Sequence, residues 1–487
     1  EDIFRDDRKK QIKNICLALG ISEEEQIAKK WPNFNPHKFA HRISLSEPRQ
    51  ADQDFITFWK EAQNLFDAVL QRFKNNYTFY MRRIDEITSV QNPGLKEIKI
   101  LRNKIPNNFV TLNYFFNKLK EKSPAWIGLL EKNDFFTYPP EPEYDSDKKL
   151  TYYSLWPASR YLAHVSSLKA FDPAEIFRVV RSIPKTRNTR VHIDLIDCAI
   201  NLSPNYAKEF VDEAEEWLNL PFQHFLPEKL ASLIIHLSEG EEIDNAIQLT
   251  KTLFEVKPDS RKLKKTKFKI PIDPKAKFET WDYEDELNRV IPVLVKKGGI
   301  KALGCVSDLF KDALNIRSQS NKVKGYEDYS YMWCSTISAN IHRSRNILEI
   351  LMVSVYKTAK ELVSVGEEKL ALVIKIMEQR QWNAFQRIAL IILSEFPGLA
   401  PELIAKKLLD KKLFDAAWAR NEYWPLAAKT LNILPPEQQN IIFKWINDGP
   451  KHETSEQGRK VWQKDRFGWI NQWLMEPWKS KYESLSK

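Results

Sequence analysis

AEIFRVVRSIPKT, residues 174–186, decides how the chain is read, because KEIKILRNKIPNN at 96–108 aligns with it without a gap. Ile98 matches Ile176, Ile105 matches Ile183 and Pro106 matches Pro184. In both stretches apolar residues return at helical spacing, the run stops at Ile-Pro, a polar pair follows, and a second amphipathic run begins. A helix, turn, helix unit is used twice. A short amphipathic helix cannot hide its own apolar stripe, and stacking helix pairs is the simplest way to bury many such stripes.

Working outward, the same start signal recurs: a capping residue followed by proline at the first helical position, where the missing N–H costs nothing. SPAW from Ser123, DPAE from Asp172 and SPNY from Ser203 carry it, and Ser22 with Glu25 forms a capping box. Val191, Leu195, Cys198, Ala199 and Leu202 mark one helical face, as do Leu403 and Leu408 after APELIAKKLL. Residues 51–90 read as a longer helix with Phe55, Trp59, Phe66, Leu70 and Phe73 in one stripe, ended by QNPG.

The chain has 487 residues, 43% hydrophobic and 12% aromatic with only 13 glycines, the composition of a folded, helix-rich protein rather than a disordered or fibrous one. Cys16, Cys198, Cys305 and Cys334 are far apart and form no CxxC pair, so neither a disulfide framework nor a zinc knuckle is indicated. No apolar run reaches the ~20 residues of a membrane span, and the charged start lacks a signal-peptide core. A cytoplasmic protein without a membrane partner is expected. Residue 1 is Glu and lies inside an amphipathic pattern, so the chain is expected to be part of something longer.

Three further stretches carry a resemblance: FFNKLKEKSPAWIGLLEKNDFFTYPPEPE at 115–143, SLWPASRYLAHV at 154–165 and LPPEQQNIIFKWINDGP at 434–450. From about residue 96 onward the chain resembles HEAT- or armadillo-like α-solenoids, in particular the helical-repeat arms of large prokaryotic multidomain proteins, including defence NTPases. The resemblance implies an all-α solenoid of stacked helix pairs acting as a recognition or scaffolding arm. The chain contains no GxxxxGK[ST] phosphate loop, so the NTPase engine of such proteins is not in it. The expected organisation is an N-terminal helical segment at 1–94, repeats at 95–256, a basic β-hairpin at 257–281, repeats at 282–450 and tryptophan-rich helices at 451–487.

The sharpest catalytic pattern is RNTRVH, 187–192, similar to the motif of HEPN ribonucleases: Arg187 would hold a phosphate and His192 would act as acid or base. The competing reading has Asn188 or Thr189 capping the second helix of the unit, with His192 at the edge of its buried face. His37 and His41 have two-ligand helical spacing but lack the glutamate of HExxH. Glu141, Glu143, Asp145 and Asp147 lie in a proline-rich stretch without the glycine of a calcium loop. No metal site, no cofactor and no catalytic residue is assigned.

From Lys257 to Lys277 nine basic residues stand against Asp259 and Asp273, a net of +7 within a formal +10 for the whole chain. The rest of the protein is nearly balanced. KTKFKI and KAKFET alternate on either side of PIDP, which reads as a β-hairpin near 263–281 with Phe268, Ile270, Ala276 and Phe278 on one face. Lys262, Lys264, Lys265, Lys267, Lys269, Lys275 and Lys277 would form an outward ridge, for solvent, an acidic partner or nucleic-acid phosphates. Tyr326, Tyr329, Tyr331 and Trp333 crowd one segment as candidate interface anchors. Seven of the 15 tryptophans lie from Trp418 onward, Trp462, Trp469 and Trp473 on one helical face, which suggests docking or self-association. The leading expectation is a non-catalytic recognition arm for a protein partner, the sensor part of a larger bacterial protein. The alternatives are a nucleic-acid-binding arm using the lysine ridge and a ribonuclease centred on Arg187 and His192.

Overall fold

The computed structural model describes residues 77–120, 122, 124–220, 225–259, 272–318, 328–334, 346–366 and 369–448. The chain divides into two units, Glu1–Arg83 and Ile84–Lys487. In the first, residues 77–83 are described and helical. The long apolar stripe expected at 55–73 lies outside the described residues.

The second unit is mostly helical. Its first half contains α1 (Leu95–Lys104), α2 (Phe109–Leu119), α3 (Ala125–Glu131), strands β1 (Glu143–Asp145) and β2 (Leu150–Tyr152), α4 (Pro157–Val165), α5 (Pro173–Ser182), α6 (Thr189–Asn201), α7 (Pro204–Ala207), α8 (Val211–Leu218), α9 (Leu226–Glu239) and α10 (Ile243–Phe254). After β3 (Val256–Pro258) and β4 (Pro274–Ala276) come α11 (Thr280–Gly298), α12 (Ile300–Ser318), α13 (Ser330–Trp333), α14 (Ile347–Val365), α15 (Leu370–Glu378), α16 (Asn383–Glu395), α17 (Pro401–Leu408), α18 (Lys411–Asp415), α19 (Arg420–Thr430) and α20 (Pro436–Asp448).

The repeated unit is local chemistry made visible. α1 and α5 both end where an isoleucine turns extended before proline, Ile105 at φ −125° and Ile183 at φ −66°. The helix that follows starts from an asparagine cap: Asn108 accepts from the Thr111 N–H, and Asn188 from the Arg190 N–H. The second copy has two more residues between proline and cap, so Thr186 and Arg187 bulge from the turn.

Successive partners run along the chain: α2 packs on α4, α4 on α6, α6 on α9, α9 on α11, α11 on α14, α14 on α16 and α16 on α19. A second series, α8 on α10, α10 on α12 and α12 on α15, lies against the first through α9–α10, α11–α12 and α15–α16. The helices of the first series from α4 to α16 therefore have neighbours on two sides. On α6, Val191, Ile196, Cys198 and Ala199 are wholly buried, which stabilises by roughly 1.5–3 kcal/mol for each large apolar side chain. Tyr283 of α11 is wholly buried, edge-on to Phe254 at 5.2 Å, with its hydroxyl donating to the Phe254 carbonyl at 2.9 Å. Between α11 and α12 the chain reverses at Gly299, φ +53°, a left-handed conformation that glycine adopts without a Cβ penalty.

Two antiparallel pairs interrupt the helices, and both correct the sequence reading. Residues 143–152, read as an acidic proline-rich loop, form a hairpin with Glu143 opposite Tyr152 and Asp145 opposite Leu150. Asp145 closes its turn by accepting from the Asp147 and Lys148 N–H groups at 3.0 and 3.1 Å. In the basic region the described partner of 274–276 is 256–258, with Val256 opposite Ala276 and Pro258 opposite Pro274. Pro274 is already in a strand and Thr280 begins a helix, while residues 260–271 lie outside the described residues. The sequence reading paired KAKFET with KTKFKI, whereas the described pairing is with 256–258, because register depends on what the apolar face meets. Val256 and Ala276 are buried, and Arg317 at the end of α12 pairs with Asp273.

Candidate functional site

The turn between α5 and α6, with α8 facing it, walls a cavity of about 450 Å³. This is within the size range of ligand pockets. Its floor is apolar, with Val180, Ile183, Leu195, Phe210 and Leu220, and it ends on His192 and Trp217. The two rings are stacked, centroids 4.7 Å apart and planes 9° from parallel.

His192 is 1% exposed, on the inward face of α6. Its Nε2 lies 3.0 Å from the Thr186 carbonyl oxygen, so Nε2 carries the ring proton. Nδ1 is then a lone-pair acceptor, and it has no hydrogen-bond partner. Burial pulls the pKa down to about 4, against the smaller opposing pull of the Thr186 carbonyl and Glu141. At neutral pH this ring holds one proton, engaged with the Thr186 carbonyl.

The turn itself is held from outside the repeat. Asn188, wholly buried, caps α6 through its side-chain oxygen and donates through Nδ2 to the carbonyls of Pro140 and Ser154 at 3.1 and 2.8 Å. Thr186 donates to Pro140 as well, at 3.2 Å, and the Arg187 N–H donates to Glu141 at 3.1 Å. The β1–β2 hairpin is therefore anchored beside the cavity mouth. It presents Tyr144 and Tyr152 at 65% and 45% exposure.

Charges on the rim are mostly matched. Arg181 of α5 binds Glu213 of α8 at 2.5 Å, and Lys185 holds both carboxylate oxygens of Glu216 at 2.9 Å. Arg187 is exposed, and its guanidinium has no ion pair among the described residues. Behind the pocket, on the far side of α6, Asp194 meets the Ser159 hydroxyl of α4, and burial raises its pKa to about 7.

The other candidates fare differently. Lys275 is exposed on β4 opposite exposed Lys257. Lys277 does not join that ridge: its side chain is 7% exposed, and Nζ donates to the Thr252 carbonyl at 2.8 Å and pairs with Glu255 at 2.9 Å. Lys262, Lys264, Lys265, Lys267 and Lys269 lie outside the described residues, as do Tyr326, His37, His41 and Trp462, Trp469 and Trp473. Tyr329 and Tyr331 are partly exposed, their ring centroids 6.5 Å apart, while Trp333 packs near Trp382 at 6.3 Å. Their segment is pinned to the start of α16, where Asp328 accepts from the Asn383 N–H and Ser330 from the Ala384 N–H. The described tryptophans near the C-terminal end join an internal cluster: Phe414 meets Trp424 at 5.5 Å and Trp445 at 5.3 Å.

Cys198, Cys305 and Cys334 are buried and free, and burial pushes the Cys305 and Cys334 thiols up to about 12, the opposite of what a nucleophile needs. Among the described residues no three His, Cys, Asp or Glu side chains gather in a way that could hold a metal ion, and no helix is long and apolar enough to cross a membrane. Sequence reasoning had singled out Arg187 and His192 but missed Trp217 and the hairpin, which reach the site from 30 to 50 residues away. Compared with protein-family models, curated proteins and solved structures, the chain matches none.

Proposed function

We propose that this chain is a non-catalytic recognition module, an α-solenoid-like stack of helix pairs that takes a protein partner at the pocket between α5, α6 and α8. The observation that carries this reading is the pocket's chemistry. It joins an apolar, aromatic floor to a polar rim whose ion pairs are already formed, and its one imidazole stays neutral. Such a lining suits desolvation of an apolar side chain with polar groups fixing orientation. It lacks the activated nucleophile with adjacent base that turnover would use. The two running series of helix contacts support the solenoid-like arrangement. A role as the arm of a larger cytoplasmic prokaryotic assembly is part of the same reading.

The test is site-specific photo-crosslinking in the producing cell. A photoreactive residue replaces exposed Lys185 at the rim, and in a second protein replaces Leu372, 43% exposed on distant α15. A discrete adduct with a second protein from position 185 and not from 372 is expected. The same adducts from both positions, or none from 185, would remove the reading.

A further inference from the structure

We infer that the β1–β2 hairpin is a second docking surface, separate from the pocket, and that it takes an arginine-bearing segment of a partner protein. One guanidinium lies between the Tyr152 ring and the Glu143 carboxylate.

The hairpin turns its large side chains away from the core. Its six strand residues are exposed except half-buried Asp145, and Tyr138 just before it is 77% exposed. A two-stranded ribbon is at best marginally stable in water. Here it is held at its base, where the Pro140 and Ser154 carbonyls and the Glu141 carboxylate accept from Thr186, Asn188 and the Arg187 N–H. That pinning fixes the ribbon in place and leaves Tyr144, Leu150 and Tyr152 in water. Tyrosines on a pre-ordered backbone lose little freedom on meeting a partner, which suits them as interface anchors.

Register decides what this surface takes. Glu143 stands directly opposite Tyr152, and such cross-strand pairs share a side of the ribbon with Cβ atoms about 5 Å apart. An exposed carboxylate and an exposed ring are thus nearest neighbours. From residue 141 to 149 four carboxylates stand against two lysines, a net of −2, and Lys148 is drawn to Asp145. Glu143 has no ion pair among the described residues. The pair therefore asks for a cation with a flat face. Guanidinium forks onto a carboxylate and stacks on an aromatic ring, and an ammonium does neither as well. The phosphates of a nucleic acid would meet like charge here. The exposed parts of Tyr138, Tyr144, Leu150 and Tyr152 amount to roughly 400–500 Å² at the usual size of such side chains. That is about half of what one side of a stable interface between folded proteins buries, so a short segment fits and a second copy of this chain does not.

The experiment titrates the full chain into a fluorescein-labelled peptide, Gly-Ser-Arg-Val-Arg-Ser-Gly, followed by polarisation. Two further peptides carry lysine, which keeps the charge, or citrulline, which keeps the shape, in place of both arginines. The chain's net charge is +10, so bulk electrostatics oppose these basic peptides and saturable binding reports a local site. Saturable binding of the arginine peptide is expected, about three- to fivefold weaker with lysine and about tenfold or more weaker with citrulline. Glu143→Gln and Tyr152→Ile change exposed side chains and should leave the thermal midpoint unchanged. Each should weaken the arginine peptide about three- to fivefold. No saturable binding, equal affinity for the arginine and citrulline peptides, unchanged affinity in both variants, or binding of labelled oligouridine that Tyr152→Ile weakens would each overturn the inference. The pocket takes no part in this contact, so failed peptides with a persisting position-185 adduct remove the hairpin surface and leave the pocket reading standing.

Discussion

The imidazole of His192 lies face to face on the indole of Trp217, 4.7 Å between centroids, and joins α6 to α8 across the pocket floor. The stack holds the ring where burial keeps it neutral, and this has a consequence for stability. The folded pKa, about 4, lies below the usual 6.5, so the stabilisation is present above about 6.5 and is lost as pH falls toward 4. The expected loss is on the order of 2–3 kcal/mol. Asp194 slopes the other way: its pKa rises from 3.8 to about 7, so its contribution is present below 3.8 and is lost as pH rises through 7. The two windows overlap and oppose each other, so Asp194→Asn should unmask the His192 contribution and steepen the loss of stability as pH falls from 7 to 4. Urea midpoints taken between pH 4 and 7 check it, and an unchanged slope in the variant contradicts it.

Asn188 holds the pocket's turn by three separate bonds, one cap and two carbonyl contacts. Asn188→Ala should cost about 2 kcal/mol, more than an ordinary cap, because it also removes the hydrogen bonds to the Pro140 and Ser154 carbonyls. Asn188→Asp should recover the cap alone. Equilibrium unfolding of the two variants separates these contributions.

The two lysines at the end of the basic region differ in kind. Lys277→Met should destabilise by about 1–2 kcal/mol through loss of the Thr252 contact. Lys275→Met should be neutral or slightly stabilising, because Lys275 stands directly opposite Lys257. Equal effects in denaturant melts would contradict the inward placement of Lys277.

Arg387 of α16 and Glu422 of α19 form an ion pair buried at 3% and 1% exposure, with Arg387 also donating to the Cys334 carbonyl at 2.8 Å. Arg387→Met alone should cost about 3–5 kcal/mol, since it strands a buried carboxylate. Adding Glu422→Leu should recover much of that loss. The double-mutant cycle, read by chemical denaturation, tests the coupling.

The helix pairs were legible because their signals are local. Period 3.6, Asp172 before Pro173 and the Ile-Pro stops all act within one or two turns, and Asn188 was among the two caps expected at its turn. Ser203, by contrast, sits at a helix start without a side-chain cap bond. Strand pairing was not legible. Three-residue strands carry too little alternation to announce β1 and β2, and the partner of Pro274–Ala276 comes from across 15 intervening residues, 259–273, a choice set by tertiary burial. The pocket was half legible: RNTRVH drew attention for a catalytic pattern, whereas the structure makes the same residues a wall and a rim. Trp217 gave no signal, because only folding brings α8 to face the turn.

The central claim is that the α5–α6 turn and α8 are where a protein partner is held. Hydrogen exchange of the full chain, with and without the partner recovered by crosslinking at position 185, tests it most directly. Protection concentrated in residues 181–187 and 213–220 is the result this account predicts; an unchanged pocket with protection elsewhere would contradict it.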